Sequence, residues 1–155
     1  PVAIVCCNQP YQFNNGALDS TDRDSLSFSL AGSYRSQGSL ASYNSPLTPT
    51  DPVPVYKGPT GKSSTNPNAK PPIGMYCDSI TGDLIFTPGG NCPWTGIIVM
   101  EIKEWRRDKN GKMQLIGITR RYMQFIATNC GPNNPPEIAG PYSYEVLLLH
   151  YSLDT

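Results

Sequence analysis

Trp94-Thr95-Gly96-Ile97-Ile98-Val99-Met100-Glu101-Ile102-Lys103-Glu104-Trp105-Arg106-Arg107, then Asp108-Lys109-Asn110-Gly111-Lys112, then Met113 through Asn129, is the stretch that decides the fold. Two runs rich in β-branched and aromatic residues flank an Asn-Gly pair. That pattern predicts a β-hairpin closed by a type I′ turn, which needs positive φ at both central residues. A two-residue loop at Asn110-Gly111 sets Trp105 opposite Ile116, an aromatic–β-branched pair of the stabilising kind. Carried on unbroken, that register sets Val99 opposite Tyr122. The inward set on the second strand nevertheless switches, from Ile116 and Ile118 to Met123 and Phe125. One extra residue near Arg120-Arg121, a β-bulge, restores a single apolar face of Ile97, Val99, Met123 and Phe125. Glu101 faces Arg121 with the bulge and Arg120 without it, so a carboxylate meets a guanidinium either way.

Working outward, the other apolar runs are short and β-like. Val2 to Cys7 reads as a strand, and Tyr11 and Phe13 extend it past a break at Pro10. Ser25-Leu26-Ser27-Phe28-Ser29-Leu30 alternates without interruption, placing Leu26, Phe28 and Leu30 inward. Ile73 to Tyr76 and Asp83 to Pro88 are further strand candidates, separated by a turn at Asp78-Ser79-Ile80-Thr81-Gly82. No segment shows a 3.6-residue period with caps. The fold class is therefore all-β, a sandwich of short strands with frequent turns. Residues 1–130 form the module, and 32–72 make a long irregular Ser/Pro-rich insert, with Val53, Val55 and Tyr56 as a short edge strand inside it. Residues 131–141 are a Pro-rich linker, and 142–155 contain a C-terminal strand. Val146-Leu147-Leu148-Leu149 is too apolar to face water, so it is expected to pair with a sheet edge, its own or a neighbour's.

Composition narrows the function classes. Of 155 residues, 12 are basic, 12 acidic and one is histidine. That balance argues against nucleic acid or an anionic membrane as partner. Charged residues make up 15% of the chain, against roughly 25% in typical domains, and Ser, Thr, Asn, Gly and Pro supply solubility instead. No apolar run approaches the ~20 residues of a membrane span. The absence of an initiator Met and of a signal peptide predicts a processed product or an excised segment. The five cysteines (Cys6, Cys7, Cys77, Cys92, Cys130) contain no Cys-x-x-Cys spacing, and with the surface composition they predict a secreted, disulfide-bonded chain. Cys77 and Cys92 bracket the Asp83–Pro88 strand; joined, they would stabilise by about 3 kcal/mol on the chain-entropy model. Cys6 on the first strand and Cys130 at the end of the last core strand are the other candidate pair. The alternative is that all are buried thiols, and an odd count leaves one over in any case.

Several of these stretches, in order, carry a resemblance. They are Ile4-Val5-Cys6-Cys7-Asn8-Gln9-Pro10, Phe13 with Asp19, and Asp22-Arg23-Asp24-Ser25-Leu26-Ser27-Phe28-Ser29-Leu30. Thr81-Gly82-Asp83-Leu84-Ile85-Phe86-Thr87-Pro88 follows, then Glu104-Trp105-Arg106, Arg120-Arg121-Tyr122-Met123-Gln124-Phe125 and a closing Cys130. Together they resemble the cadherin-like or PKD-like repeats of large type IX-secreted, gliding-motility-associated surface proteins of Bacteroidota. The resemblance covers residues 1–31 and 77–138 and includes Asn133-Asn134-Pro135-Pro136, similar to the linker where a next repeat starts. Arg23 stands where the family has Gly, Cys7 is an addition, and the insert replaces the family's spacer. The resemblance implies an immunoglobulin-like β-sandwich on an extracellular cell surface, an adhesion or fibre role, and calcium in the acidic loop.

The residues themselves offer few other sites. Asp19, Asp22 and Asp24 are closely spaced hard oxygen donors of the kind Ca²⁺ takes, with Glu104 or Glu137 as further ligands; the alternative is a solvated turn. Gly58-Pro59-Thr60-Gly61-Lys62-Ser63 has too few residues between its glycines for a phosphate loop. His150 stands alone, without a triad partner. Trp94, Trp105, Tyr34, Tyr43 and Tyr56 could form a sugar-stacking face, though aromatics in β-proteins are more often core. Asp19-Ser20-Thr21, Asp24-Ser25-Leu26 and Asp78-Ser79-Ile80 fit a short, weak pattern similar to Bacteroidota O-glycosylation sites, and ordinary turns explain them as well. The expectation is a non-enzymatic extracellular structural or adhesion module that associates with copies of itself, polymerising by strand donation. The alternative is a carbohydrate-binding module that takes surface glycans through the tyrosines of the insert.

Overall fold

The computed structural model describes residues 1–19, 24–61 and 64–131. The expected C-terminal strand at 142–155, with Val146, Leu147, Leu148 and Leu149, lies outside the described residues, as does Asp22. The elements are β1 (Val2–Cys6), β2 (Tyr11–Asn14), β3 (Ser25–Ala31), β4 (Tyr34–Ser36) and β5 (Ser39–Leu40), followed by β6 (Met75–Cys77), β7 (Asp83–Phe86), β8 (Trp94–Arg107) and β9 (Met113–Thr128). Among the described residues there is no helix. One sheet has the order β1-β9-β8-β3, a second β2-β7-β6, and β4-β5 forms a small hairpin. The first two sheets face each other as a β-sandwich across Phe28, Met75, Leu84, Phe86, Ile98 and Phe125, all buried. Tyr11, Phe86 and Phe125 meet edge to face at centroid distances of 5.5–5.6 Å, the arrangement that ring quadrupoles prefer.

β8 and β9 form the long hairpin, but its turn and bulge differ from the expectation. The strands pair from Trp94↔Ala127 to Glu104↔Gly117, shift by one residue, and finish at Arg107↔Met113. Residues 108–112 make the turn, and there Gly111 alone has positive φ (80°), so the turn is not type I′. Asp108 organises it instead. Its Oδ1 accepts the N–H groups of Asn110 and Lys112, at 2.8 and 2.9 Å. The bulge sits at Ile116, not at Arg120-Arg121, and Trp105 consequently faces Leu115 instead of Ile116. Gly117 stands beside the bulge, where a Cβ would come within 2.9 Å of Glu104 Oε2. Beyond the bulge the register is the unbroken one, with Val99 opposite Tyr122 and Glu101 opposite Arg120.

That register also corrects the inward face. Ile98, Met100 and Ile102 on β8 join Met123, Phe125 and Ala127 on β9 in the core. Ile97 and Val99 share the other face of β8, where Ile97 is 48% exposed and Val99 is buried. The apolar run is continuous because both faces of β8 are covered there. On the outer face the main-chain N–H of Tyr34 donates to Tyr122 Oη at 3.2 Å, and the Arg120 guanidinium lies 4.3 Å from the Tyr34 ring centre. β3 follows its alternation, with Phe28 buried and Leu26 and Leu30 packed against the core.

The segment 32–72 is not merely a surface flap. Val53 and Val55 are core residues, and Val55 bridges to Pro88. Gly96 admits this contact: a Cβ there would lie 2.4 Å from Val53 Cγ1. Gly96→Ala is therefore expected to destabilise by about 1–3 kcal/mol through overpacking, read as a lower midpoint in thermal or urea unfolding. An unchanged midpoint would show that Val53 does not pack there.

Candidate functional site

The crossover from β1 to β2 is where the cysteines act. Cys6 ends β1 and Cys7 opens the turn that follows. Cys6 bonds Cys130 and Cys7 bonds Cys92. The expected Cys77–Cys92 bond does not form. Bracketing a strand in sequence does not bring its ends together: Cys77 ends β6, paired along β7, whereas Cys92 lies beyond β7 in the loop that leads into β8. Cys77 is the free thiol, and burial, then Asp78 and Asp83, push it up to about 11. Such a thiol is protonated at neutral pH and unreactive. Between the two bonded cysteines and β2 the chain changes sheets. Cys7 N–H donates to Thr128 O at 3.0 Å and Asn8 N–H to Pro88 O at 2.8 Å, with Asn8 at φ 62°.

The acidic cluster is partly as expected and partly new. Asp19, Asp24 and Glu104 each place a carboxylate oxygen within 4.8 Å of the others. Glu104 comes from β8, eighty residues beyond Asp24, and the β3–β8 ladder delivers it by pairing Leu26 with Glu104. Asp19 Oδ2 accepts the Asp24 N–H at 2.8 Å. Arg106, two residues on and on the same face as Glu104, grips Asp24 through Nε and Nη2 at 2.7–3.1 Å. A cleft of about 230 Å³ opens beside Asp19 and Glu104, with Thr119 and Arg121 on its far wall. Burial, the Asp24 side chain and the charges of Asp19 and Asp24 raise the Glu104 carboxyl above its ordinary range. The donor set suits a hard divalent cation in type. Among the described residues, three carboxylates fall short of its usual six to eight oxygens, and Arg106 already engages both oxygens of Asp24.

The remaining charged and aromatic groups serve the sheet. Arg120 donates to Glu101 Oε2 from Nε at 2.8 Å, and Lys103 lies 3.3 Å from Oε1. These contacts, the Arg120 hydrogen bond foremost, hold Glu101 below the usual carboxylate range. Asp78 is also lowered, by the main-chain N–H groups of Thr81 and Ile80 that it caps in the β6–β7 turn. Four of the five candidate aromatics are engaged within the protein. Tyr34 stacks under Arg120, and Tyr43 Oη accepts the Ser33 N–H. Trp94 donates to Gly89 O and Trp105 to Ser27 Oγ. Sequence reasoning named Glu104 only as a possible addition and did not single out Arg106. The signal available was the spacing of Glu104 and Arg106, which puts them on one face of a strand.

The two shifted glutamates act oppositely on stability. Glu101, lowered, contributes stability present above its unfolded pKa and lost as pH falls through its lower folded value. Glu104, raised, favours the folded state while protonated, and that contribution is lost as pH rises through its folded value. Glu104→Gln is thus expected to raise the metal-free unfolding midpoint at pH 7, with the gain vanishing below the carboxylate range. A variant less stable than wild type at pH 7 contradicts this.

No family model matches the chain, and neither the curated proteins nor the solved structures contain a match to it.

Proposed function

We propose that this chain is a non-enzymatic, extracellular structural module of a cell-surface fibre or large adhesin, with an immunoglobulin-like fold. The observation that carries the reading is the strand order. A β1-β9-β8-β3 sheet, with β1 parallel to β9, faces β2-β7-β6. Labelled A′ to G in chain order, these are A′GFC and BED, the pairing pattern of immunoglobulin-type sandwiches apart from the placement of the first strand. The resemblance to cadherin-like repeats of Bacteroidota surface proteins points to the same fold and compartment. Two disulfides fit an oxidising location. The sugar-binding alternative is weaker, because Tyr34 and Tyr43 are each engaged within the protein.

The module reading includes calcium at Asp19, Asp24 and Glu104. Binding to the folded state alone raises stability by mass action. Millimolar Ca²⁺ is expected to raise the wild-type midpoint and leave Glu104→Gln unmoved; an equal response in both sinks the calcium assignment.

The reading also has copies join by strand donation, with residues 142–153 of one copy adding to the next. The edge of β9 from Met113 to Met123 supports this. β1 covers only Gln124 to Thr128, and no other described strand pairs on that side. Leu115, Ile116, Ile118 and Tyr122 are exposed along it. An open edge of this kind is a template for an added strand. Light scattering on size-exclusion fractions tests it. The full chain is expected to grow in mass with concentration. Leu147→Lys/Leu149→Lys and Ile118→Pro should each be monomeric alone and form one-to-one pairs when mixed. A wild-type chain that stays monomeric, or variants that still self-associate, contradicts strand donation.

A further inference from the structure

We infer that the Cys6–Cys130 bond makes this module an inextensible link: tension entering the chain at Pro1 leaves at Gly131 without crossing the folded sheets. The inference rests on the reading of the chain as a structural module and adds how it bears load.

β1 runs parallel to β9, in the register Val2↔Gln124 to Cys6↔Thr128. Pulling Pro1 and Gly131 apart therefore drives the two strands past each other along their axes. Without a crosslink, the five rungs of this ladder would be the first structure to resist, loaded together in shear. Such hydrogen bonds are individually weak, and their rupture would free the chain behind them. Cys6 ends β1, and Cys130 stands two residues past the end of β9, so the disulfide joins the two strands at the pole where the chain leaves. The loaded path then consists of residues 1–6, the sulfur–sulfur bond, and Cys130 with Gly131. The chain between the two cysteines, a separation of 124, lies off that path.

The second disulfide is nested within the first and grades the response. Cys7 and Cys92 are separated by 85 residues, all inside the 124. If Cys6–Cys130 alone is opened, 124 less 85 leaves 39 residues that tension can draw out, counting from Cys6 to Cys130 around the remaining bond. At ~3.3–3.6 Å per extended residue that is about 130 Å of chain, and opening both bonds releases about 400 Å. For tension that enters at Pro1, the acidic cluster and the β4–β5 hairpin sit in the shielded part, so their geometry is held constant under that load.

Single-molecule stretching of the full chain, with handles attached at Pro1 and at the C-terminus, tests this. The oxidised wild type is expected to show no unfolding step attributable to residues 7–129. Cys6→Ser/Cys130→Ser, checked for a native near-UV circular dichroism spectrum, should show a step of about 130 Å. Should that variant fail to fold, reductant added to the wild-type molecule under constant load gives the same information, with extension appearing only after its addition and totalling about 400 Å. An unfolding step of 100 Å or more in the oxidised chain overturns the inference. So does a reduced chain that lengthens no further than the oxidised one. Either result leaves strand donation and the module reading to be judged by light scattering, which does not depend on the load path.

Discussion

The adjacent pair Cys6-Cys7 is the constraint on which the remainder of the structure depends. It lies at the point where the chain leaves the four-stranded sheet and enters the three-stranded one. Cys6, the last residue of β1, bonds Cys130 past the end of β9, and Cys7, in the turn that follows, bonds Cys92 in the β7–β8 loop. On the chain-entropy model, crosslinks over loops of this size stabilise by roughly 4–5 kcal/mol when taken singly; being nested, they contribute less than twice that together. Their positional effect is as important. They fix β1 on β9, hold the β7–β8 loop against the crossover, and leave the sandwich to be filled by Tyr11, Phe86 and Phe125 where the two sheets meet.

From that pole the β8–β9 hairpin runs the length of the molecule, and its charges are spent on architecture. Glu101 is held by Arg120 and Lys103, and Arg120 in turn covers Tyr34, so the outer face of β8 is closed by a small polar and aromatic layer. The acidic cluster sits toward the opposite end of the hairpin, where Arg106 offsets part of its charge without removing the rise in the Glu104 pKa. The acidic site is therefore loop-and-strand composite, built by the β3–β8 ladder and not by the acidic loop alone.

Much of the fold was legible because local pattern and tertiary structure agree. The strict alternation of Ser25–Leu30 gives the inward residues correctly, and the Asn-Gly signal gives the hairpin, though the register over Ile97–Glu101 is the unbroken one and not the one displaced by a bulge at Arg120-Arg121. The errors have physical causes. A two-residue loop and a five-residue turn with one bulge produce the same register beyond the bulge, so pattern alone could not separate them. Asp108, by capping the turn with its carboxylate, tipped the choice. The apolar run at Ile97–Ile102 was read as one-faced, yet residues from the insert cover its second face, a contact invisible in the hairpin's own sequence. Val53 and Val55, flanked by prolines, gave only a weak strand signal, yet they complete the core because Gly96 leaves room. Sequence proximity is a poor guide to disulfide pairing where sheet position decides it, and the Asp24–Arg106 contact is legible only through the i, i+2 spacing of Glu104 and Arg106.

The cysteine connectivity is the claim from which the fold's closure and its mechanical behaviour follow, so peptide mapping of the non-reduced protein is the most direct measurement. Thiols are first blocked with an alkylating agent in denaturant, and the digest is fragmented to separate the two bonds that meet at Cys6-Cys7. The structure predicts one blocked residue, Cys77, and a single three-peptide cluster in which Cys6 is joined to Cys130 and Cys7 to Cys92. A Cys77–Cys92 bond, or five blocked cysteines, would contradict the account.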